Sequence, residues 1–241
     1  MFQEESLSMN LHGPSIGIGA AIAAVAIIIT FFALSMETQP EVELQPAEMP
    51  QEKKQEVALS VLTENGSPIL GNPNAAVTLV EFGDYQCFFC NKFFHDTEEQ
   101  LFKDYVETGK VKVIFKDFTI IGPDSIAAAH GAHCADDQGM FWEYHDILYN
   151  NWNGENNGWA SPDNLLGFAQ DIGLDTNQWT ECMLSDTHQQ LVVSSGNDAR
   201  TLGLTGTPAF FVIGPDNHVT KIVGAQPYDV FSRIFESELA K

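Results

Sequence analysis

Two cysteines, Cys87 and Cys90, have two residues between them, which is the spacing of a pair that can form and break a disulfide bond. The segment before them, residues 77–82, is apolar and β-branched, which is typical of a buried strand. After them, in residues 94–105, apolar side chains recur at steps of three and four, as on one face of a helix. The pair is therefore expected at the junction between a strand and a helix.

A helix begins with unpaired N–H groups and with the positive end of its dipole, and both favour an anion. At that position the thiolate form of Cys87 is stabilised, so that its pKa falls and it becomes a nucleophile. Cys90, one turn into the helix, is expected to be buried and to resolve the mixed disulfide that Cys87 forms. The pattern predicts thiol–disulfide exchange.

Two other roles for the cysteine pair are less consistent with the sequence. A structural zinc site needs four ligands, and the sequence contains no second Cys-x-x-Cys pair. A purely structural disulfide between Cys87 and Cys90 would close a loop too small to give much chain-entropy stabilisation.

The elements on both sides of the pair follow a recognisable order. Residues 57–62 predict a short edge strand, and the strand of residues 77–82 follows. The helix after the cysteines runs to about residue 107, and residues 111–118 form the next strand. A strand, a helix and a second strand in this order predict a βαβ unit with parallel strands.

Beyond this unit the pattern changes twice. From about residue 124 to 202 the sequence is helical in character, with several breaks. Residues 209–213 and 218–223 then predict a β-hairpin, and a last helix runs to about residue 239. An all-helical block between strands indicates a subdomain inserted into an α/β fold.

Several of these segments resemble one known family. Gly71–Val77, followed by Val80–Cys87, is similar to the entry into the catalytic strand of DsbA-like thiol:disulfide interchange proteins of the thioredoxin-fold superfamily. Cys134–Asp146 and Glu181–Leu184 are similar to that family's helical insert. The resemblance implies an α/β thioredoxin fold with an inserted all-helical subdomain. One departure is Phe88, since the family usually has proline directly after its first cysteine.

The resemblance also implies roles for residues near the pair. Glu81 matches the buried acidic residue beneath the cysteines and would accept the proton of Cys90; an ion pair or a solvent-facing position is the alternative. Thr207-Pro208 would form a cis peptide facing the cysteines, or else a plain turn, and the backbone of Thr207 would bind an extended substrate segment. Exposed aromatic rings at Phe88 and Phe89 could help to hold unfolded substrates.

The other two cysteines, Cys134 and Cys182, lie in the helical insert, and we expect them to form a structural disulfide. Closing a loop of 48 residues is worth about 4 kcal/mol in the chain-entropy model. Free thiols or a second redox relay are the alternatives. His130, His133 and Cys134 have a spacing that a metal site could use, but no fourth ligand is evident, so we predict no metal there.

The chain before the fold divides into three parts. A polar tail, residues 1–15, precedes 21 residues without charge, 16–36, which is enough to span a bilayer. An acidic, proline-rich linker, 37–56, leads to the folded domain, 57–241. Because the apolar run is long and its start is acidic, we predict an uncleaved transmembrane helix. A cleaved signal peptide is the rival.

Composition and resemblance together predict the setting of the reaction. A formal charge of −22 argues against nucleic acid or an anionic membrane surface as partner. We predict a membrane-anchored oxidoreductase outside the cytoplasm, monomeric and without a cofactor, that oxidises cysteine pairs in unfolded or reduced secreted proteins. The resemblance implies a membrane partner that reoxidises it. The rivals are a disulfide reductase or isomerase, and a non-catalytic metal-delivery or assembly factor.

Overall fold

The structure is a computed structural model, and it describes residues 59–241 of the 241-residue chain. The predicted tail, transmembrane helix and linker lie outside the described residues. Among the helices of residues 59–241, none combines the length and the apolar character needed to cross a bilayer.

The sheet has four strands in the order β2-β1-β3-β4, where the strands are β1 Val77–Gly83, β2 Val111–Asp117, β3 Ala209–Ile213 and β4 Val219–Val223. Strands β1 and β2 are parallel, as the βαβ pattern requires, and β3 pairs antiparallel with both β1 and β4. Strand β1 therefore lies inside the sheet, and the cysteine pair follows directly after its carboxyl end.

The segment between β1 and β2 is the active-site helix, which consists of α2 Phe88–Phe93, a π-helical turn Phe94–Glu98, α3 Glu99–Leu101 and a second π-helical turn Phe102–Val106. The two π-helical turns are not visible in the apolar periodicity of the sequence. π-Helical turns are often found at functional sites.

Five helices separate β2 from β3 and form the insert: α4 Pro123–Asp136, α5 Phe141–Asn150, α6 Pro162–Asp171, α7 Thr176–Ser185 and α8 Gln189–Thr201. A disulfide bond between Cys134 and Cys182 joins α4 to α7, with a Cα–Cα distance of 5.8 Å. The last helix, α9, is Tyr228–Leu239.

The two faces of the sheet are both buried. On one face, Leu79 and Phe210 pack against Phe93 of the active-site helix and Phe231 of α9. On the other face, alternate residues of the same strands, such as Val80 and Phe211, pack against α8. This alternation follows from the two-residue period of a strand.

The prediction of an edge strand at residues 57–62 is wrong for residues 59–62, which are the part that the structure describes. Residues Leu59–Thr63 form a short helix, α1. Leu59 and Leu62 are three residues apart, so that a helix directs both toward the same apolar cluster, which contains Val80 and Phe211. The edge of β2 is instead met by a single bridge between Leu70 and Val113.

Candidate active site

Cys87 is the N-cap residue of α2, and its extended backbone conformation ends the loop that leaves β1. Cys90 lies in the first turn of the helix, and both thiols are reduced and buried. They belong to an apolar cluster that also contains Tyr85, Phe115 and side chains of the insert. The insert therefore packs against the cysteine pair, of which Cys87 is 5% exposed and Cys90 1%.

The two thiols have opposite acidities. The pKa of Cys87 is lowered to about 6, chiefly because the Cys90 thiol donates a hydrogen bond to its sulfur. The backbone N–H groups of Cys90 and Phe89 lower it further, while burial opposes the effect. Burial raises the pKa of Cys90, and the Cys87 sulfur raises it further. At neutral pH the pair therefore holds one thiolate, on Cys87, and one thiol, on Cys90.

The peptide bond between Thr207 and Pro208 is cis and lies against the cysteine pair. The Sγ atom of Cys87 is 3.4 Å from the backbone oxygen of Thr207. The loop before β3 thus contacts the Cys87 sulfur directly. The peptide bond and this contact place Thr207 and Pro208 at the site.

Phe88 and Phe89 follow Cys87 and have exposed fractions of 50% and 55%. Their rings pack edge to face, with centroids 5.3 Å apart, and the Trp152 ring lies 6.0 Å from that of Phe88. An exposed aromatic surface therefore follows directly after Cys87 in the chain, and Trp152 was not singled out from the sequence. Such a surface is suited to apolar segments of an unfolded chain.

Glu81 is buried in β1. Burial raises the pKa of its carboxyl group well above the usual range, and the negative charges of Glu98 and Cys87 raise it further. In turn, the charge of Glu81 contributes to the raised pKa of Cys90. The position agrees with a buried acid near the cysteines and excludes the solvent-facing alternative.

The loop Asp84–Gln86 is held by polar contacts that the sequence analysis did not identify. The Asp84 carboxylate accepts hydrogen bonds from the backbone N–H groups of Gln86, Ile120 and Ile121. The side-chain amide of Gln86 donates to Ser125 of α4. These bonds fix the start of the active-site helix relative to the insert. The sequence did contain a signal for these contacts, because two polar residues, Asp84 and Gln86, follow a buried strand.

Glu155, in the loop between α5 and α6, was also missed. Its Oε1 atom accepts a hydrogen bond of 3.0 Å from the backbone N–H of Phe88, which is the first residue of α2. A negative charge therefore lies at the same helix end that stabilises the Cys87 thiolate. No motif marks this contact, because it joins residues 67 positions apart.

Replacing Glu155 with glutamine is expected to lower the pKa of Cys87. The amide oxygen can still accept from Phe88, but the repulsion between carboxylate and thiolate is removed, which corresponds to about 0.2–0.7 pKa unit at a helix end. The thiolate absorbance of the reduced protein at 240 nm, followed against pH, measures the change. Glu143→Gln, an exposed residue of α5, is the matched control. An unchanged or higher pKa in Glu155→Gln would contradict this role.

A second set of buried polar side chains comes from the active-site helix and from α5. Glu98 and His145 are both buried, and Nδ1 of His145 is 3.1 Å from the Tyr85 hydroxyl. Burial raises the pKa of Glu98 and lowers that of His145 to about 4. A signal for Glu98 existed, because it lies four residues after Phe94 and three before Leu101, on the apolar face of the helix.

His133, which lies next to the structural disulfide in sequence, pairs with a carboxylate. The Nε2 atom of His133 is 2.7 Å from a carboxylate oxygen of Asp117, and both side chains are buried. Cys134 is bonded to Cys182 and cannot act as a thiolate ligand. His133 therefore ties α4 to the end of β2.

A family model described as Thioredoxin matches residues 63–234. The chain belongs to this thioredoxin family. The match includes the active-site helix, the insert, the cis-proline loop and the hairpin.

Individual relatives refine the assignment. The probable disulfide bond formation protein D of Bacillus cereus is 31% identical over 149 residues, which are 60% of this chain and 69% of that protein. The crystal structure of oxidised BdbD from Bacillus subtilis has a TM-score of 0.66 and 25% identity, and the match covers 77% of this chain and 97% of that one. This thioredoxin-family chain is thus DsbA-like, and its class is that of the protein-disulfide oxidoreductases.

Two relatives are much longer proteins, both of them Na(+)/H(+) antiporters of Salinispora species. The Na(+)/H(+) antiporter NhaA 1 of Salinispora arenicola is 28% identical over 221 residues, which are 86% of this chain. The thioredoxin-family chain spans only about a third, 32%, of that antiporter.

Proposed function

We propose that the protein oxidises cysteine pairs in secreted proteins, outside the cytoplasm, by passing its Cys87–Cys90 disulfide to them. The observation that carries this proposal is the opposite acidity of the two thiols, with the pKa of Cys87 lowered to about 6 and that of Cys90 raised. A thiolate that is stable at neutral pH stabilises the reduced pair, and stabilising the reduced pair makes the disulfide more oxidising.

The reaction takes two exchange steps. A substrate thiolate attacks Sγ of Cys87, a new sulfur–sulfur bond forms, and the electron pair of the broken bond goes to Cys90, which takes up a proton. A second substrate thiolate then attacks the substrate sulfur of the mixed disulfide and releases Cys87 as a thiolate. The substrate loses two electrons and the enzyme gains them. The low pKa of Cys87 favours its departure in the second step.

Substrate would be held beside Cys87 by two features. The Thr207-Pro208 loop supports an extended segment next to the sulfur, and Phe88 and Phe89 offer an exposed apolar surface. Neither feature selects a particular sequence, which suits an enzyme that acts on unfolded chains.

Glu81 is proposed to exchange the proton of Cys90. Burial raises the pKa of its carboxyl group, so that this group can give a proton to Cys90 when Cys90 is released as a thiolate and can accept that proton when Cys90 attacks a mixed disulfide. Glu81→Gln keeps the shape and removes this capacity. We expect the resolution of a Cys87 mixed disulfide by Cys90 to slow by about a hundredfold.

Rapid-quench measurement of the mixed disulfide tests this role. Alkylation of Cys87 serves as an internal control, because it needs no proton transfer at Cys90 and should change little. Glu99→Gln, an exposed neighbour on the active-site helix, is the matched variant. Equal resolution rates in Glu81→Gln and in the unsubstituted protein would rule out Glu81 as the proton carrier.

The location follows from the chemistry and from the apolar segment at residues 16–36. That segment would anchor the enzyme, residues 37–56 would hold the domain away from the membrane, and a membrane partner would reoxidise the reduced pair. A membrane-impermeant maleimide added to intact cells should label Cys87 in the reduced protein. Labelling only after lysis would place the domain on the cytoplasmic side.

The reaction itself is tested with the oxidised full chain in detergent and a reduced, unfolded protein that contains two cysteines. We expect one disulfide to appear in the substrate for each Cys87–Cys90 pair reduced, measured by alkylation and mass spectrometry. A substrate that stays reduced while Cys87–Cys90 stays oxidised would refute the proposal.

A further inference from the structure

Glu98, His145 and Asp146 form a cluster that the proposed reaction does not use. Glu98 belongs to the active-site helix, whereas His145 and Asp146 are adjacent residues of α5. One possible ligand atom of each residue lies within 4.8 Å of the others. Glu98 and His145 are buried, and Asp146 is exposed at the surface. The cluster thus extends from the protein interior to solvent.

The ring of His145 has an unused nitrogen directed into this cluster. Its Nε2 atom is buried and has no hydrogen-bond partner among the described residues. Oε1 of Glu98 lies 3.8 Å from it, which is too far for a hydrogen bond. In a tetrahedral zinc site, bonds of about 2.0–2.2 Å place the donor atoms about 3.3–3.6 Å apart. The distance therefore suits two ligands of one ion better than a direct bond.

The other nitrogen of His145 has the partner that a ligand histidine needs. Nδ1 is 3.1 Å from the Tyr85 hydroxyl, which can accept a hydrogen bond from it. A proton on Nδ1 leaves the lone pair of Nε2 free for a metal, and metal-binding histidines usually donate their second ring N–H in this way. Tyr85, Phe115 and Tyr149 surround the ring and fix its direction.

The backbone at Glu98 is also unusual. Glu98 ends the first π-helical turn, and both Thr97 and Glu98 are buried although they are consecutive. A carboxyl group placed inside the protein without a neutralising partner is unfavourable. A divalent cation would neutralise it.

We propose that Glu98, His145 and Asp146 bind a divalent transition-metal ion, for which zinc is the best match. One imidazole and two carboxylates are ligands that zinc accepts, and three protein ligands leave a fourth position for water. Exposed Asp146 gives the ion a route from solvent. The ion would join the active-site helix to α5 of the insert. This site was not expected from the sequence, which predicted no metal.

Zinc titration of the full chain in detergent tests the proposal. The protein is first treated with chelator and kept oxidised, so that Cys87 and Cys90 are bonded to each other and cannot bind the ion. We expect one zinc ion per chain, measured by competition with a chromophoric chelator. Glu98→Gln and Asp146→Asn should each weaken binding by at least about tenfold. Glu99→Gln and Glu143→Gln, exposed neighbours of the two ligands, should bind as the unsubstituted protein does.

Thermal unfolding gives a second readout that is independent of activity. Zinc should raise the melting temperature of the unsubstituted protein and of both controls, but not that of Asp146→Asn. Asp146 is exposed, so we expect this variant to fold normally. The absence of saturable binding, or the same affinity in all five proteins, would overturn the proposal.

Discussion

Replacing Cys87 with serine is expected to abolish thiol–disulfide exchange, whereas replacing Cys90 should stop the reaction one step later. Without the Cys87 thiolate no mixed disulfide can form, and the rate should fall by at least about a thousandfold. In Cys90→Ser the reactive thiolate remains. It attacks a disulfide substrate, and the mixed disulfide accumulates because the resolving sulfur is missing.

Non-reducing electrophoresis and mass spectrometry of the trapped complex distinguish the two variants. The reduced proteins are mixed with a disulfide-containing peptide, and only Cys90→Ser should gain the mass of half the peptide. The two variants are matched controls for each other, since each loses one sulfur of the same pair. Trapping by Cys87→Ser, or equal trapping by both, would reverse or refute the assignment of the nucleophile.

The second large effect concerns the dependence of Cys87 on pH. Its pKa of about 6 predicts that the alkylation rate of the reduced protein rises about tenfold per pH unit below 6 and levels off above about 7. The largest contribution to this low pKa is the hydrogen bond from the Cys90 thiol. Cys90→Ala removes that donor, and the pKa of Cys87 should rise toward its usual range, whereas Cys90→Ser retains an O–H donor.

The same shift links acidity to stability. Because the pKa of Cys87 is lower in the folded reduced protein than in the unfolded chain, the thiolate contributes stability that is fully present above the pKa of the unfolded thiol, about 8.5. This contribution disappears as the pH falls through about 6.

Iodoacetamide kinetics between pH 4 and 9 measure the midpoint of the Cys87 titration. The same midpoint in Cys90→Ala and in the unsubstituted protein would show that Cys90 does not set the acidity.

Local patterns were sufficient to predict the centre of the fold. The apolar residues of β1, the helical spacing after Cys90 and the next apolar strand predict a βαβ unit because each of these signals lies within a short segment. The hairpin of β3 and β4 was also visible, since a turn of typical composition separates two strand patterns. The resemblance to DsbA-like proteins supplied the type of insert, which periodicity alone could not.

Contacts between distant segments were not predictable in the same way. The hydrogen bond from the Phe88 N–H to Glu155 depends on how the insert folds back over the active site. No spacing in the sequence indicates this contact. The helix at Leu59–Thr63 was mistaken for a strand because five or six apolar residues fit either element, and only packing against Val80 and Phe211 decides. Glu98 could have been found, because a charged residue on an apolar helix face is unusual.

The equilibrium reduction potential of the Cys87–Cys90 pair tests the central claim most directly. The full chain is equilibrated in glutathione buffers, with Cys134 and Cys182 left in their disulfide, and the oxidised fraction is measured. Because the Cys87 thiolate stabilises the reduced pair, we expect a potential that lies well above about −270 mV and toward about −120 mV, the value of a strong oxidant that donates disulfides. A potential near about −270 mV would make the pair a reductant and would contradict the proposed direction of electron flow.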